Sequence, residues 1–333
     1  MRSRLAYILA AASALSLTGC QSNQGGDILS QQFVHKYGFN VSESEWDERS
    51  QDGQAIAIMK DGVKVVRSFE NGVLHGVTTY TFPGSSVVER LLAYDQGTLL
   101  KEVIQDENGI PVKEELFEFD DRKIITYWDE KGAPLSIEEY DDELLQEGKY
   151  YTADHDLEAQ VESGFGVRVK RDRTGSLLYR DRIENGIIAE RTSFHPNGQV
   201  HSISRYHDYQ LHGEQVKFTA SGKPLMKLNW NHGILDGLKT IFRNGVKIAE
   251  IPYINGQKYG TEFHFDDLGN LTAELQWKND KKHGTCQFHT EECTETEWFY
   301  KGQAVTESKF QTLETRELFI AEITKAQNEK NHR

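Results

Sequence analysis

His75, His212 and His283 each stand immediately before a glycine, and among the twelve histidines of the chain they are the set whose common position suggests chemistry, namely binding of a transition metal. Their recurrence at one place in a repeating phrase makes them a row along a sheet. Two histidines one repeat of two strands apart lie about 10 Å from each other, too far to share a Zn²⁺ ion that needs each nitrogen at about 2 Å. His195, His201 and His207 recur at intervals of six residues, which fits no standard ligand motif. No metal and no cofactor are therefore expected.

Carboxylates are the next candidates, in runs such as Glu114-Glu115 and Glu138-Glu139-Tyr140-Asp141-Asp142. Neighbouring residues of a strand face opposite sides, so the simplest role of these runs is to solvate a sheet. An acidic groove with hydrolase chemistry is the alternative they leave open. Gly-rich phosphate loops, nucleophile elbows and Cys-x-x-Cys pairs are missing from the sequence, so no catalytic residue is assigned and an enzyme is not expected. Cys286 and Cys293 enclose six residues, a spacing that suits a disulfide clip across one hairpin of an exported protein. Parity opposes the clip: with Cys293 in the turn, the residue facing Cys286 falls near Glu297.

The elements that position these residues come from a repeat. The phrase WNHGILDGLKTIFRNGVKIAE from Trp230 runs directly into YINGQKYGTEFHFDDLGNLTAE from Tyr253, and both place an aromatic, a glycine three residues on, and a second glycine four residues later. The opening aromatic recurs at Trp46, Phe69, Tyr94, Phe119, Tyr140, Tyr206, Trp277 and Tyr300, with Ile183 filling one slot and a degenerate unit near Ala159. The unit glycine recurs at Gly53, Gly76, Gly166, Gly213, Gly237, Gly260 and Gly284. A fixed period of 21 to 25 residues marks a repeat architecture in which each unit is one supersecondary element.

Alternation names that element. Leu271, Ala273, Leu275 and Trp277 share one side of a strand, and Thr272, Glu274 and Gln276 the other. Between strands stand Asp61-Gly62, Asn71-Gly72, Asn108-Gly109, Asn185-Gly186, Asn197-Gly198, Asn244-Gly245 and Asn255-Gly256, dipeptides that supply the positive φ of tight hairpins. The expected fold is all-β: an elongated antiparallel β-hairpin solenoid or meander, on the order of 100 Å long at about 4.8 Å per strand. The aromatics share parity with Leu, Ala and Met and so read as core, while sugar stacking is the alternative use of such rows.

The pattern aromatic-x-Asn-Gly-x-x-x-Gly, followed by an aromatic and a Gly turn, resembles the MORN-variant repeat of many bacterial proteins, some of which carry the label YwqK-family antitoxin. The resemblance covers about Trp46 to Tyr300 and is weakest where Lys101 and Thr126 replace the unit glycine. It implies an interaction surface without an attached catalytic domain. An antitoxin role rests on that family label alone.

Outside the repeats, MRSRLAYILAAASALSLTGC has two arginines, an apolar run too short to span a membrane, and a Leu-Thr-Gly-Cys ending that resembles a bacterial lipobox. The reading is a signal peptide over 1–19, lipidation at Cys20, a tether over 20–26, an N-terminal cap over 27–45, repeats over 46–305, and a C-terminal capping helix and tail over 306–333. Phe310, Leu313, Ile320 and Ile323, with Phe319 adjacent, give that helix its amphipathic spacing. Cleavage removes Arg2 and Arg4 and no acidic residue, so the formal charge moves from −14 to −16. Such a body disfavours nucleic acid and anionic headgroups, which leaves membrane attachment to the lipid and points to a protein partner. Gln21, in place of the Asp of many inner-membrane lipoproteins, points to the periplasmic face of the outer membrane.

Overall fold

A computed structural model describes residues 28–331. The expected signal peptide, Cys20 and the tether lie outside the described residues. Strands follow one another along the chain, neighbouring strands pair antiparallel, and two helices flank them, so the all-β hairpin meander with a C-terminal helix is what the chain forms. The contacts define two compact units, Met1–Leu99 with Glu107–Gly109, and Leu100–Asp106 with Ile110–Arg333. No helix among the described residues is long and apolar enough to cross a membrane.

In the first unit the strand Ile28–His35 pairs with Gly53–Met59, which pairs in turn with Lys64–Glu70. Between the first two strands lies the helix Glu43–Glu48. Ser42 caps it: its hydroxyl accepts from Glu45 N at 3.3 Å while the Glu45 carboxylate accepts from Ser42 N at 3.1 Å, a reciprocal capping box. This corrects the reading of Trp46 as the aromatic that opens the first repeat strand. Trp46 is buried in the helix, stacked on Phe33 with ring centres 5.1 Å apart and edge-on to Phe69. The N-terminal cap expected over 27–45 contains Phe33, Val34, Tyr37 and Phe39, of which Tyr37 and Phe39 are exposed.

In the second unit the turns are of two kinds, which alternate except at Asn244-Gly245, where a two-residue turn stands in place of a longer loop. At one end of the hairpins, Asn185-Gly186, His232-Gly233 and Asn255-Gly256 have positive φ at both central residues, as a two-residue turn matched to strand twist requires. At the other end a side chain closes a longer loop. Asp266 Oδ1 accepts from Leu268 N at 2.9 Å and Asn270 N at 2.8 Å, and Asp172 Oδ1 does the same for Thr174 N and Ser176 N. Asn197-Gly198 belongs to this second kind, with positive φ at the glycine only, and in the first unit so do Asp61-Gly62 and Asn108-Gly109. These three dipeptides therefore do not form the two-residue turns expected of them.

The two-residue turns are also tied to each other. Gly233 N donates to Leu211 O, Gly256 N to Leu235 O, Asp280 N to Lys258 O and Gly302 N to Lys282 O, each from one unit's turn to the carbonyl of the unit before. Leu145, Tyr150, Val161, Val169 and Ile183 form the buried cluster of the middle of this unit, and Leu228, Ala249, Ile251, Ala273 and Cys286 continue the core.

The helix Glu307–Asn331 covers the end of the sheet with its first half. Phe310 meets Trp298 at 5.1 Å between ring centres and His283 at 5.4 Å, and Glu317 accepts from Tyr300 Oη at 2.5 Å. The second half does not follow the amphipathic expectation: Phe319, Ile320 and Ile323 are exposed, with Phe319 at 62%. At about 1.5 Å per residue, a helix of this length overshoots the short final strand Gln303–Val305.

Candidate functional site

The glycines and aromatics that define the repeat form one device. Gly53 pairs across the ladder with Phe69, Gly76 with Tyr94, Gly213 with Trp230, Gly237 with Tyr253, and Gly260 with Trp277. Each unit glycine thus lies opposite the opening aromatic of the next unit in the ladder. Gly166 pairs with Ile183, so the aliphatic substitute keeps the arrangement; Gly284 breaks it, pairing with Phe299 and not with Tyr300. The backbone is left-handed at Gly237 (φ 109°) and Gly260 (φ 106°). A β-carbon would come within 3.1 Å of Asn229 Cβ at the first and 3.3 Å of Pro252 Cγ at the second.

These glycines sit in bulges. From the Trp230–Leu235 pair to the Met226–Ile241 pair, one strand advances four residues and the other six. The same two-residue excess separates Tyr253–Lys258 from Ala249–His264, and Trp277–Lys282 from Ala273–Phe288. Where the unit position itself holds no glycine the excess shrinks. It is one residue between Tyr140–Leu145 and Ser136–Tyr150, and zero between Phe117–Lys123 and Lys113–Tyr127. A bulge bends and twists its strand, so glycine content sets local curvature.

The proposed Cys286–Cys293 bridge is not present: both thiols are free, Cys286 buried and Cys293 exposed. Register is the reason. Cys286 lies within the strand Lys281–His289 and faces Glu297, whereas Cys293 sits in the turn, where Thr290 O–H donates to its carbonyl at 3.0 Å.

The histidines divide. His75 Nδ1 accepts from Gln96 N at 3.4 Å, and His283 Nδ1 from Lys301 N at 3.3 Å; both accept from the turn of the following unit. His75 also has Glu70 and Asp95 beside its nitrogens, and His283 has Glu314 at 2.9 Å. His195 packs on His201 with ring centres 4.7 Å apart. His207, His212 and His232, a set that the repeat position did not single out, have their rings together.

A cluster that the alternation did not reveal lies mid-chain, where the unit glycines fade. The strand Leu157–Glu162 pairs with Phe165–Arg171 through only Val161–Gly166 and Glu162–Phe165. Beyond that short seam Arg168 reaches the strand Pro134–Asp141 and grips the buried Glu138 through Nε at 2.8 Å and Nη2 at 3.2 Å. Tyr140 O–H donates to the same carboxylate at 2.7 Å. Burial and the Glu138 charge push the phenols of Tyr140 and Tyr150 above their ordinary range. Lys170, over the Tyr127 ring, is pushed down to about 8 by burial. Nearby, Arg191 holds the fully buried Asp181 at 2.7 and 2.9 Å while stacking on Tyr179.

Glu138 is occupied by three donors from Arg168 and Tyr140, so it anchors two strands and has little left for proton transfer. Glu139, Glu147 and Glu162, on the three consecutive strands Pro134–Asp141, Leu144–Tyr151 and Leu157–Glu162, line a concavity of about 280 Å³ with Lys149, where the acidic-groove alternative would have to operate.

Residues 187–208 match the model described as the MORN repeat variant. The match spans the strands Ile187–Phe194 and Val200–His207 with their connecting loop, one hairpin of the repeat. A comparison with curated proteins finds no match. Among solved structures the chain is similar to BamB from Moraxella catarrhalis, at 10% identity over 74% of this chain and 81% of that one, with a TM-score of 0.16. It is also similar to a chain of the TcdB2-TccC3-Cdc42 structure, at 11% identity over 82% of this chain and 20% of that one, with a TM-score of 0.14. Neither superposition carries an argument about function.

Proposed function

We propose that the chain is a lipid-anchored protein of the bacterial cell envelope that displays its repeat surface to another protein. The observation that carries this reading is the set Leu178, Leu225 and Leu238: apolar side chains exposed on strands of the repeat sheet. An acidic, regularly spaced sheet with exposed leucines suits a macromolecular contact in which apolar anchors sit within a polar rim. The MORN repeat variant at 187–208 agrees with an interaction module. Anchoring rests on Cys20 and its lipobox-like surroundings, and the outer-membrane assignment on Gln21. The reading assigns no catalytic residue, cofactor or nucleic-acid partner.

The cell-wall glycan alternative would use rows of Trp and Tyr, yet Trp277 carries Lys258 over its ring at 4.3 Å and lies opposite Gly260. Pull-down with the full-length protein from envelope extracts, with and without muramidase, tests the proposal. Capture of a protein that survives muramidase and is lost when Leu178, Leu225 and Leu238 are replaced by Glu supports it, provided the variant keeps its melting temperature. Capture abolished by muramidase would instead favour glycan binding.

A further inference from the structure

In the buried cluster of the second unit one positive charge has no counterpart. Arg168 has the Glu138 carboxylate at 2.8 Å, and Lys113 has that of Glu115 at 2.5 Å. Lys170 forms no ion pair among the described residues. Its ammonium lies 2.8 Å from the centre of the Tyr127 ring, and burial pushes its pKa down to about 8. A cation taken partly out of water without a counter-charge is costly, and a bound ion is one way a protein offsets that cost.

The strands bring these groups together. Lys170 and Arg168 are two residues apart on the strand Phe165–Arg171 and so leave it on the same side. Tyr179 stands directly opposite Lys170 on Leu177–Glu184. Lys113, on Pro111–Phe117, stands directly opposite Tyr127 on Arg122–Trp128. The short seam at Val161–Gly166 lets the Lys170 strand reach back both to Glu138 on Pro134–Asp141 and to Tyr127. The charged groups that act on Lys170 are therefore Glu138, Arg168 and Lys113.

We propose that Lys170 and Arg168 bind a small singly charged anion, a carboxylate in chemical class. The charge count sets the valence: three cations, Arg168, Lys113 and Lys170, stand against two carboxylates, Glu138 and Glu115, so one negative charge balances them. Arg168 spends Nε and Nη2 on Glu138, and its Nη1 takes no part in that grip. A guanidinium donor beside an ammonium suits the two oxygens of a carboxylate. The rings of Tyr127 and Tyr179 offer apolar surface to the stem of a small acid. A bound anion favours the charged form of Lys170 and so returns its pKa towards the usual lysine range.

Titration of the full-length protein with ¹³C-labelled acetate at constant ionic strength, read by NMR line width and by melting temperature, tests the site. Acetate should saturate one site at pH 7 and bind more tightly than chloride. Lys170→Met, which removes a charge that has no partner and so keeps the fold, should weaken acetate by about tenfold or more. Lys170→Arg keeps the charge and should retain most of the binding, and Lys227→Met, at an exposed lysine, should change nothing. Affinity should fall as pH rises through 8, because the ammonium that holds the anion is lost. Absence of saturable binding, wild-type affinity in Lys170→Met, equal binding of chloride and acetate, or an affinity that stays constant from pH 7 to about 10 overturns the proposal.

Discussion

Gly260 stands directly opposite Trp277 in the ladder, with a left-handed φ of 106° and room for a β-carbon closed off by Pro252. The same relation joins Gly237 to Tyr253. Gly→Val at either position should destabilise the protein by roughly 1–3 kcal/mol, since a β-branched side chain meets both a strained backbone and an occupied space. Thr272→Val, within a strand and at negative φ, should change stability by less than about 0.5 kcal/mol. Urea midpoints of the three variants check this, and equal losses would refute the role given to the glycines.

Much of this device could be read in the residues. Asn255-Gly256 announces its turn, and Leu271 to Trp277 announces a strand by alternation. The signal for the short helix at Trp46 was also there, in the Ser42-Glu43-Ser44-Glu45 spacing of a capping box, but the aromatic period outweighed it. Two features had no sequence signal. Arg168 and Glu138 are thirty residues apart with two strands between them, and their contact follows from a seam of only two residue pairs. The meeting of His212 with His232 depends on how one unit's turn seats on the hairpin before it.

Glu138→Ala should cost roughly 3–5 kcal/mol, because it leaves the guanidinium of Arg168 largely buried without its counter-charge. A Glu138→Leu, Arg168→Leu double variant should recover part of that loss, because no uncompensated charge remains. Denaturant unfolding of the single and double variants makes the comparison.

Lys170 has a folded-state pKa pushed down to about 8 from 10.5. Between these values the unfolded chain binds more protons than the native one, so this group makes stability rise with pH from 8 to about 10.5. Below pH 8 its ammonium is charged in both states and burial penalises the native one. Lys170→Met should therefore stabilise most at pH 7, with its advantage over the wild type narrowing as pH climbs towards 10.5. A constant difference across that range would show that the lysine is not desolvated.

The free thiols predict a labelling order. Native protein should react with a maleimide at Cys293 and be protected at Cys286, whose thiol burial also pushes up; denaturation should expose both. Reducing agent should leave the melting temperature unchanged. Peptide mass spectrometry reads the sites.

Under the anchoring proposal, wild-type protein should sediment with membranes and resist high salt, because no basic patch contributes. Cys20→Ala should block lipid attachment and yield uncleaved precursor or soluble exported protein. Metabolic labelling with a fatty-acid analogue distinguishes the two proteins, and equal labelling would end the lipoprotein reading.

The turn-to-turn hydrogen bonds from Gly233 to Leu211, Gly256 to Leu235, Asp280 to Lys258 and Gly302 to Lys282 connect only consecutive units of the second part of the chain. A rim linked this way has no fixed length. Splicing in a duplicate of Tyr253–Gln276 adds one turn, one seat for the next turn, and one glycine-to-aromatic pair, and it leaves every existing register intact. Gene duplication can therefore lengthen the surface in whole steps, whereas an insertion of half a unit would reverse the direction of every strand after it.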